Sequence, residues 1–320
     1  MNNSILYIVV PCYNEEKVLP ITYKLFLDEL HHLIDKGQVG SGSRILFVND
    51  GSSDTTWSII ESLAHNNPEI IGISQSCNRG HQCAVLAGLM EAQDECDMAV
   101  SIDCDGQDDI RAIEQMVDAY HKGYDVVYGV RSNRDSDSFF KKYTAQTFYW
   151  FLNKMGVNAV YNHADYRLLS HRAITALSQY KEVNLFLRGL IPLIGFRHST
   201  VYYSRTSRIA GESHYPLGKM ISLAIDGITS LSIRPIRLIT LMGFVFSLIS
   251  FLFIIVVIVG YFQGNTISGW ASLMSVVCFL GGVNLICLGI IGEYVGKIYL
   301  ETKSRPRYII SERTSDHSQN

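Results

Sequence analysis

Two aspartates separated by one residue are the strongest chemical feature of this sequence. Asp103 and Asp105 come at the end of an apolar run, residues 98–103, that is typical of a buried β-strand. Alternate side chains of an extended segment project to the same side, so both carboxylates can share one hard divalent cation, Mg²⁺ or Mn²⁺. Gln107 is spaced to add a neutral oxygen. Because such cations also bind diphosphate oxygens, the pair predicts a metal site that holds a diphosphate.

Polar clusters at other strand ends strengthen this interpretation, since acidic pairs alone are common in loops. Residues 11–16 read Pro-Cys-Tyr-Asn-Glu-Glu, residues 50–54 read Asp-Gly-Ser-Ser-Asp, and residues 78–82 read Asn-Arg-Gly-His-Gln. Each cluster follows a short apolar run. In open α/β sheets, ligands bind outside the carboxyl ends of the strands. We therefore expect these clusters and the two aspartates to meet in one site.

The elements that position these clusters alternate between strand and helix. Strands are predicted at 5–10, 44–49, 70–74, 98–103 and 125–129, and helices at 17–35, 55–65, 82–92 and 110–122. This alternation predicts an α/β fold in which a parallel, Rossmann-like sheet is covered by helices on both faces.

The second half of the chain carries a long segment without charge. Residues 238–292 contain no Asp, Glu, Lys, Arg or His. Two apolar runs, 238–262 and 270–292, are each long enough to cross the roughly 30 Å hydrocarbon core as a helix. Basic residues flank this segment at Arg234, Arg237, Lys297, Lys303, Arg305 and Arg307, whereas the connecting loop has none. The positive-inside rule then places both termini in the cytoplasm and the chain in the cell membrane as a multi-pass protein.

The expected organisation has three parts. Residues 1–233 form a cytoplasmic catalytic domain, 234–297 form a two-helix transmembrane hairpin, and 298–320 form a cytoplasmic tail that is expected to fray after residue 310. Within the first part, aromatic and basic residues predict a helix lying in the membrane interface at about 139–155, with an ordinary core helix as the alternative. Residues 217–233 are a second candidate for such a helix, just before the first apolar run. The formal net charge of −3 gives no indication of a nucleic-acid partner.

Together the clusters resemble the inverting glycosyltransferases of GT-A fold, which open with PxYNE and continue with DDGSxD and DxD. The resemblance implies that a nucleotide-sugar is bound by Pro11, Tyr13, Asn14, Glu15, Asp50, Ser52, His81 and Asp103. It also implies that the metal, Mg²⁺ or Mn²⁺, is bound by Asp103, Asp105 and Gln107. Asn14, Ser53 or Asp54 could instead cap the helices that follow them.

Four later segments narrow the resemblance to the polyprenyl-phosphate glycosyltransferases. They are Gly129-Val130-Arg131, Ala164-Asp165-Tyr166-Arg167, residues 205–215 and residues 292–299. This subgroup includes dolichol-phosphate mannosyltransferase and bacterial undecaprenyl-phosphate glucose and aminoarabinose transferases. The resemblance implies inverting transfer of a sugar, from a donor that is expected to be UDP-linked, to undecaprenyl phosphate at the cytoplasmic membrane face. Cell-envelope glycan modification and a homotetramer are the corresponding expectations.

The resemblance also assigns roles to charged residues in these segments. Asp165 occupies the catalytic-aspartate position, where it would orient the donor sugar or act as a base, although it could simply pair with Arg167 or Arg172. Catalytic arginines are expected at Arg131, Arg205 and Arg208. Position predicts the contacts of the lipid phosphate, because Arg131, Arg134, Lys141 and Lys142 lie between the nucleotide-binding half and the predicted interface helix. Ser213 and His214 are expected to contact the same phosphate. The subgroup usually reads R-x-x-G-x-S-K-Y, so His214 replaces an expected lysine.

Other functions compete with this prediction. Transfer to a lipid or glycan hydroxyl would need a firm general base, so the pH profile and Asp165→Asn discriminate it. A processive polysaccharide synthase typically carries Q-x-x-R-W, but none of the three tryptophans follows an arginine. A dinucleotide-dependent oxidoreductase would need G-x-G-x-x-G after the first strand, but the residues that follow this strand, 11–16, contain no glycine. A non-catalytic membrane scaffold that retains the fold would show no nucleotide-sugar turnover.

Overall fold

The computed structural model describes residues 3–132, 163–204, 229, 232–263 and 269–315. These form two compact units, the first from residues 3–132, 163–204 and 305–315, and the second from residues within 229–304. Most of the two predicted interface helices lies outside the described residues. So do seven predicted site residues, namely Arg134, Lys141, Lys142, Arg205, Arg208, Ser213 and His214.

One sheet of eight strands organises the first unit. The strands are β1 (Leu6–Cys12), β2 (Arg44–Asn49), β3 (Ile70–Gln75), β4 (Met98–Ser101), β5 (Val126–Arg131), β6 (His163–Ser170), β7 (His198–Tyr203) and β8 (Ile310–Arg313). Their spatial order is β7-β5-β6-β4-β1-β2-β3-β8. The helices of this unit are α1 (Leu19–Asp35), α2 (Thr56–Asn66), α3 (His81–Ala92), α4 (Ala112–His121), α5 (His171–Ser178) and α6 (Leu187–Leu193).

The predicted parallel arrangement applies to the centre of the sheet. Strands β1 to β4 pair in parallel, as expected when helices connect consecutive strands. The whole sheet is mixed, because β6 runs antiparallel between β4 and β5, and β8 runs antiparallel to β3. The α/β prediction is confirmed, with three strands that the sequence patterns did not predict.

Burial explains why these segments form a sheet covered by helices. All seven residues of β1 are buried, as expected for a central strand covered on both faces. Helix α3 packs so closely on the sheet that a Cβ at Gly88 would lie 2.3 Å from Cγ1 of Val9 and 2.8 Å from Cγ2 of Val48. The glycine therefore allows the helix to approach β1 and β2.

The segment after residue 304 is part of the first unit. Residues 310–313 form β8 on the edge of β3, so the expectation that the chain frays after residue 310 is wrong for this stretch. Arg313 contacts both carboxylate oxygens of Glu91, at 2.7 and 3.2 Å. Trp57 Nε1 donates a hydrogen bond to Glu312 at 3.0 Å. These contacts join the end of the chain to α3 and α2.

Two long apolar helices form most of the second unit. They are α7 (Arg234–Phe262) and α8 (Trp270–Lys303). Within them, Arg234–Leu252 and Phe279–Lys303 are long and apolar enough to cross a membrane, and almost none of their surface is buried by protein. The 34 residues of α8 span about 51 Å, which exceeds the hydrocarbon thickness of roughly 30 Å. Large exposed apolar surfaces of this kind indicate association with a membrane.

Candidate active site

Asp103 follows β4 without regular secondary structure, and Asp105 lies in a turn. The strand ends at Ser101, two residues earlier than predicted, and Gly106 adopts a φ of 65°. The expectation that one extended segment carries both carboxylates is therefore wrong at Asp105. Asp105 is buried, and its Oδ1 accepts a hydrogen bond from the backbone N–H of Gln107 at 3.1 Å. The turn still keeps both carboxylates at the carboxyl end of β4.

A histidine links Asp103 to Asp165. Nε2 of His81 lies 3.6 Å from Oδ1 of Asp103 and 3.5 Å from Oδ2 of Asp165. His81 is the first residue of α3, directly after Gly80, which has a φ of 88°. The hydroxyl of Ser101 donates to the carbonyl of Asp165 at 2.7 Å, so β6 begins beside the end of β4. Residues from three distant parts of the sequence thus meet here.

The charges in this cluster shift one another's ionisation. Burial raises the pKa of Asp103, as do neighbouring carboxylates, whereas His81 lowers it. Burial lowers the pKa of His81, but its contacts with Asp165 and Asp103 outweigh burial, so the pKa is raised. Each of the two carboxylates stabilises the protonated form of His81, because an ion pair favours the charged form of both partners.

Two arginines hold Asp165. Nη2 of the fully buried Arg167 contacts Oδ1. Arg188 donates from Nε to Oδ1 at 3.2 Å and from Nη2 to Oδ2 at 2.9 Å. Burial raises the pKa of Asp165, but the contacts with His81, Arg167 and Arg188 prevail and hold this pKa well below its usual value. Of the two predicted salt-bridge partners, Arg167 contacts Asp165, whereas Arg172 pairs with Asp125 at 2.8 Å.

Asp50 organises the loop between β3 and α3. Its Oδ1 accepts from the backbone N–H of Arg79 at 2.8 Å, and its Oδ2 from that of Gly80 at 3.0 Å. Burial raises the pKa of Asp50, whereas the two amides lower it. Gly51, with a φ of 61°, is required beside it, because a Cβ there would lie 2.4 Å from the carbonyl carbon of Cys77. This aspartate therefore fixes the loop that delivers His81.

The segment after β1 is interlocked with the segment after β2. The backbone N–H of Asn14 donates to Oγ of Ser52 at 3.0 Å, and Oδ1 of Asn14 accepts from the N–H of Ser53 at 2.9 Å. The N–H of Glu15 donates to Oγ1 of Thr56 at 2.9 Å. Asn14 therefore does not cap α1 and instead joins the two loops. Pro11 is buried and Tyr13 is exposed, so the tyrosine ring is accessible to a ligand.

Arg131 lies at the end of β5 and is already paired. Its Nη2 is 3.6 Å from Oδ1 of Asp108, which also accepts a hydrogen bond from the Tyr203 hydroxyl at 2.9 Å. Burial lowers the pKa of Arg131, but Asp108 and Tyr203 raise it overall. A third of the Arg131 side chain is exposed. The guanidinium is thus a fixed cation that remains accessible at the edge of the site.

The sequence reading missed Arg188. Its signal was a single cation in the otherwise apolar stretch Leu-Phe-Leu-Arg-Gly-Leu-Ile at 185–191. A charge in such a stretch needs a partner, because an unpaired charge is costly to bury. The partner, Asp165, is 23 residues away, and no short-range spacing rule connects the two.

The residues after β4 fit a hard divalent cation. Asp103 and Asp105 supply the carboxylate oxygens that Mg²⁺ and Mn²⁺ prefer. Within the described residues, no group of three or more His, Cys, Asp or Glu could hold a metal ion. Mg²⁺ commonly takes only one or two carboxylates and completes its shell with substrate phosphates and water. Burial and nearby carboxylates raise the pKa of Asp103. A site that disfavours an unpaired negative charge in this way fits a cation that binds together with a diphosphate.

Comparison with known proteins assigns the family. A model described as glycosyl transferase family 2 matches residues 7–176, which include β1 to β4, His81, Asp103 and Asp165. The chain belongs to glycosyl transferase family 2. A second model, described as the GtrB C-terminal hairpin, matches residues 234–298, which cover α7 and most of α8. The family match thus covers most of the first unit, which is the catalytic unit, and a separate match covers the apolar helices.

Relatives of this family 2 chain are similar over nearly its whole length. The uncharacterized glycosyltransferase YkoT of Bacillus subtilis is 47% identical over 97% of this chain and 92% of its own. The bactoprenol glucosyl transferase of Shigella phage SfX is 39% identical over 96% of this chain and 98% of its own. The prophage bactoprenol glucosyl transferase homolog of Escherichia coli K12 is 37% identical over 95% of this chain and 97% of its own.

Proposed function

We propose that this protein transfers a sugar from a nucleotide-sugar to a polyprenyl phosphate at the membrane surface. One observation carries the proposal: the similarity to bactoprenol glucosyl transferases extends through both the catalytic unit and the apolar hairpin. A soluble acceptor would give no reason for the exposed apolar helices, whereas a polyprenyl chain lies in the same bilayer as they do. Undecaprenyl phosphate is the acceptor we propose.

The ionisation of Asp165 supports a phosphate acceptor. A general base works best when its pKa lies near the operating pH. Contacts with two arginines and His81 hold the pKa of Asp165 well below its usual value, which makes it a weak base. A phosphate monoester has a second pKa near 6 and is already largely a dianion at pH 7, so it needs no base. We therefore assign Asp165 to orienting the donor sugar.

The donor would lie across the carboxyl ends of β1, β2 and β4. Tyr13 and Glu15 would contact the nucleotide, Asp50 would hold the loop of His81 in place, and Asp103 would face the diphosphate. A UDP-linked donor is the expectation from the family resemblance. Attack by the lipid phosphate from the side opposite the leaving group would invert the anomeric carbon. Arg131 is the described cation that would hold the attacking phosphate.

A divalent cation would complete the donor site. Asp103 and Asp105, with Gln107, would hold Mg²⁺ or Mn²⁺, which when bound offsets the charge on the departing nucleotide diphosphate. We also propose the cell membrane as the location, with the catalytic unit and both termini on the cytoplasmic side. The basic residues on both flanks of the uncharged segment support this orientation. A homotetramer is proposed from the family resemblance alone.

A donor screen with the full-length protein in detergent tests this function. Undecaprenyl phosphate is supplied with UDP- or GDP-linked sugars, and both nucleotide release and the mass of the glycolipid are measured. We expect one donor to give a glycosyl phosphate lipid with Mg²⁺ or Mn²⁺, and we expect EDTA to stop the reaction.

Three controls sharpen this screen. Asp165→Asn should lose most of the activity, whereas Arg172→Gln, which breaks a separate arginine–aspartate pair, should keep it. Diacylglycerol, supplied in place of the lipid phosphate, should not react. Preferential reaction with this hydroxyl acceptor would overturn the proposed acceptor class, and absence of turnover with every donor would favour a non-catalytic scaffold.

A further inference from the structure

Arg188 contacts Asp165 at both carboxylate oxygens. The Nε···Oδ1 distance is 3.2 Å and the Nη2···Oδ2 distance is 2.9 Å. Such two-point contacts are specific to the planar guanidinium, whose fixed fork matches the geometry of a carboxylate. The Asp165 side chain is only 13% exposed, so little water competes for its oxygens. The contact therefore restricts rotation of the carboxylate and also stabilises its negative charge.

Each of the other groups around Asp165 contacts a single carboxylate oxygen. Arg167 lies two residues away on the same strand and contacts Oδ1 from within the core. His81, on α3, faces Oδ2 at 3.5 Å and also faces Asp103. Arg188 is the described cation that contacts both oxygens and comes from a separate element, α6. It ties the plane of the carboxylate to an element outside β6.

The start of α6 is held by the same turn that supplies His81. The backbone N–H of Leu187 donates to Oε1 of Gln82 at 2.8 Å. Gln82 directly follows His81 in the first turn of α3. Arg188 follows Leu187 in the chain, and His81 precedes Gln82. Both Arg188 and His81 contact Asp165. One turn of α3 thus sets the positions of both groups.

We propose that Arg188 is a positioning residue that fixes the Asp165 carboxylate with Oδ2 directed toward His81 and the donor site. The inference rests on the proposed function, because its main effect is read from sugar transfer. A carboxylate that rotated freely would spend only part of its time in the productive orientation, and small misplacements of catalytic groups cost large factors in rate. Arg188 would act through Asp165 and would not contact substrate.

The kinetic signature of this role is a fall in kcat with little change in donor KM. In Arg188→Gln, we expect kcat for transfer to undecaprenyl phosphate to fall about 10- to 100-fold. Arg188→Lys keeps the charge but cannot contact both oxygens, so it should recover only a minor part of the loss. Full recovery with lysine would overturn the positioning role, since charge alone would then suffice. Arg172→Gln is the matched control and should leave both parameters unchanged.

A double-mutant cycle separates positioning from direct substrate contact. In an Asp165→Asn background, Arg188→Gln should change kcat by less than about twofold, because the group that it orients is already altered. The same loss in both backgrounds would show that Arg188 contacts donor or acceptor phosphate, and would overturn the proposal.

A stability cycle makes the test independent of turnover. If the wild type transfers no sugar, the proposed function fails, and Arg188 is judged from Tm alone. The Tm shifts of Arg188→Gln and Asp165→Asn should then be non-additive, because the two residues form one contact. Additive shifts would overturn the contact. If Asp165→Asn does not fold, the kcat and KM values of Arg188→Gln and Arg188→Lys decide.

Discussion

At the residue scale, the site depends on which charges meet Asp165. A carboxylate with only solvent around it would titrate near its ordinary pKa of about 3.9. In this fold two arginines and a histidine surround it, and one of the arginines is completely buried. The same contacts that make Asp165 a poor base make it a well-fixed orienting group. This favours an acceptor that carries its own negative charge.

The lowered pKa of Asp165 has a defined effect on stability. Its folded-state pKa lies below the unfolded value, so ionised Asp165 stabilises the fold at any pH above the unfolded pKa. This contribution is lost only as the pH falls through the folded pKa. We expect Asp165→Asn to lower the free energy of unfolding by about 1.5–3 kcal/mol at pH 7.

Unfolding in denaturant at a series of pH values measures this effect. The difference between wild type and Asp165→Asn should not shrink from pH 8 to pH 5, because Asp165 also favours the protonated form of His81, and it should shrink only below about pH 4. A difference that already shrinks between pH 7 and pH 5 would contradict the lowered pKa. Asp125→Asn, which alters the more exposed pair with Arg172, is the control and should cost less.

At the element scale, the end of the chain stabilises the catalytic sheet. Strand β8 covers the edge of β3, which would otherwise expose unpaired backbone groups. Its neighbours extend the contact, since the N–H of Ser76 donates to the carbonyl of Ile309 at 2.9 Å and Arg307 donates to the carbonyl of Tyr180 at 2.8 Å. Ser76 begins the loop that Asp50 holds, so the tail supports the donor side of the site.

Deletion of residues 305–320 should therefore destabilise the catalytic unit. We expect a clearly lower Tm and a tendency to aggregate through the uncovered edge of β3. Arg313→Gln, which removes only the contact with Glu91, should cost no more than about 1 kcal/mol because the pair is partly exposed. Thermal unfolding in detergent measures both changes, and Lys36→Gln, which breaks a surface pair with Glu114, is the control. An unchanged Tm after the deletion would contradict the role of β8.

At the scale of the whole molecule, chain connectivity constrains the membrane topology. The chain leaves the catalytic unit before α7 and belongs to that unit again from residue 305. A chain that leaves one unit and returns to it must cross a bilayer an even number of times. Two candidate spans satisfy this condition. The contacts of β8 thus support placing both flanks of the two apolar helices on the same side of the membrane, whereas the basic flanks alone indicate which side that is.

Reporter fusions test this topology. Green fluorescent protein fused after residue 320 should fluoresce, because it folds on the cytoplasmic side. Alkaline phosphatase inserted after Gln263, at the end of α7, should be active, because that point should lie on the opposite side. If the reporters placed both positions in the cytoplasm, two crossings would be contradicted. If they placed residue 263 in the cytoplasm and residue 320 outside it, the orientation would be contradicted. A fusion at the N-terminus serves as the cytoplasmic reference.

The sequence by itself determined the local features of this protein. Strands β1 to β4 and helices α1 to α4 were predicted close to their observed bounds, because each contains its own hydrophobic period and is followed by its own polar cluster. The apolar runs in α7 and α8 were predicted for the same reason. Motif resemblance brought Asp103, Asp165 and His81 together as candidates, because these residues sit in short recognisable segments.

Only the tertiary structure decided how those candidates interact. Strands β6, β7 and β8 depend on pairing with distant strands, as in the β8 contact with β3 across more than 230 residues, and their sequences lack a distinct strand signal. A turn at Asp105 replaced the end of an expected extended segment. Arg188 joined the site because α6 is held against the first turn of α3. Ion pairs and hydrogen bonds of this kind depend on distance in space, which spacing along the chain does not encode.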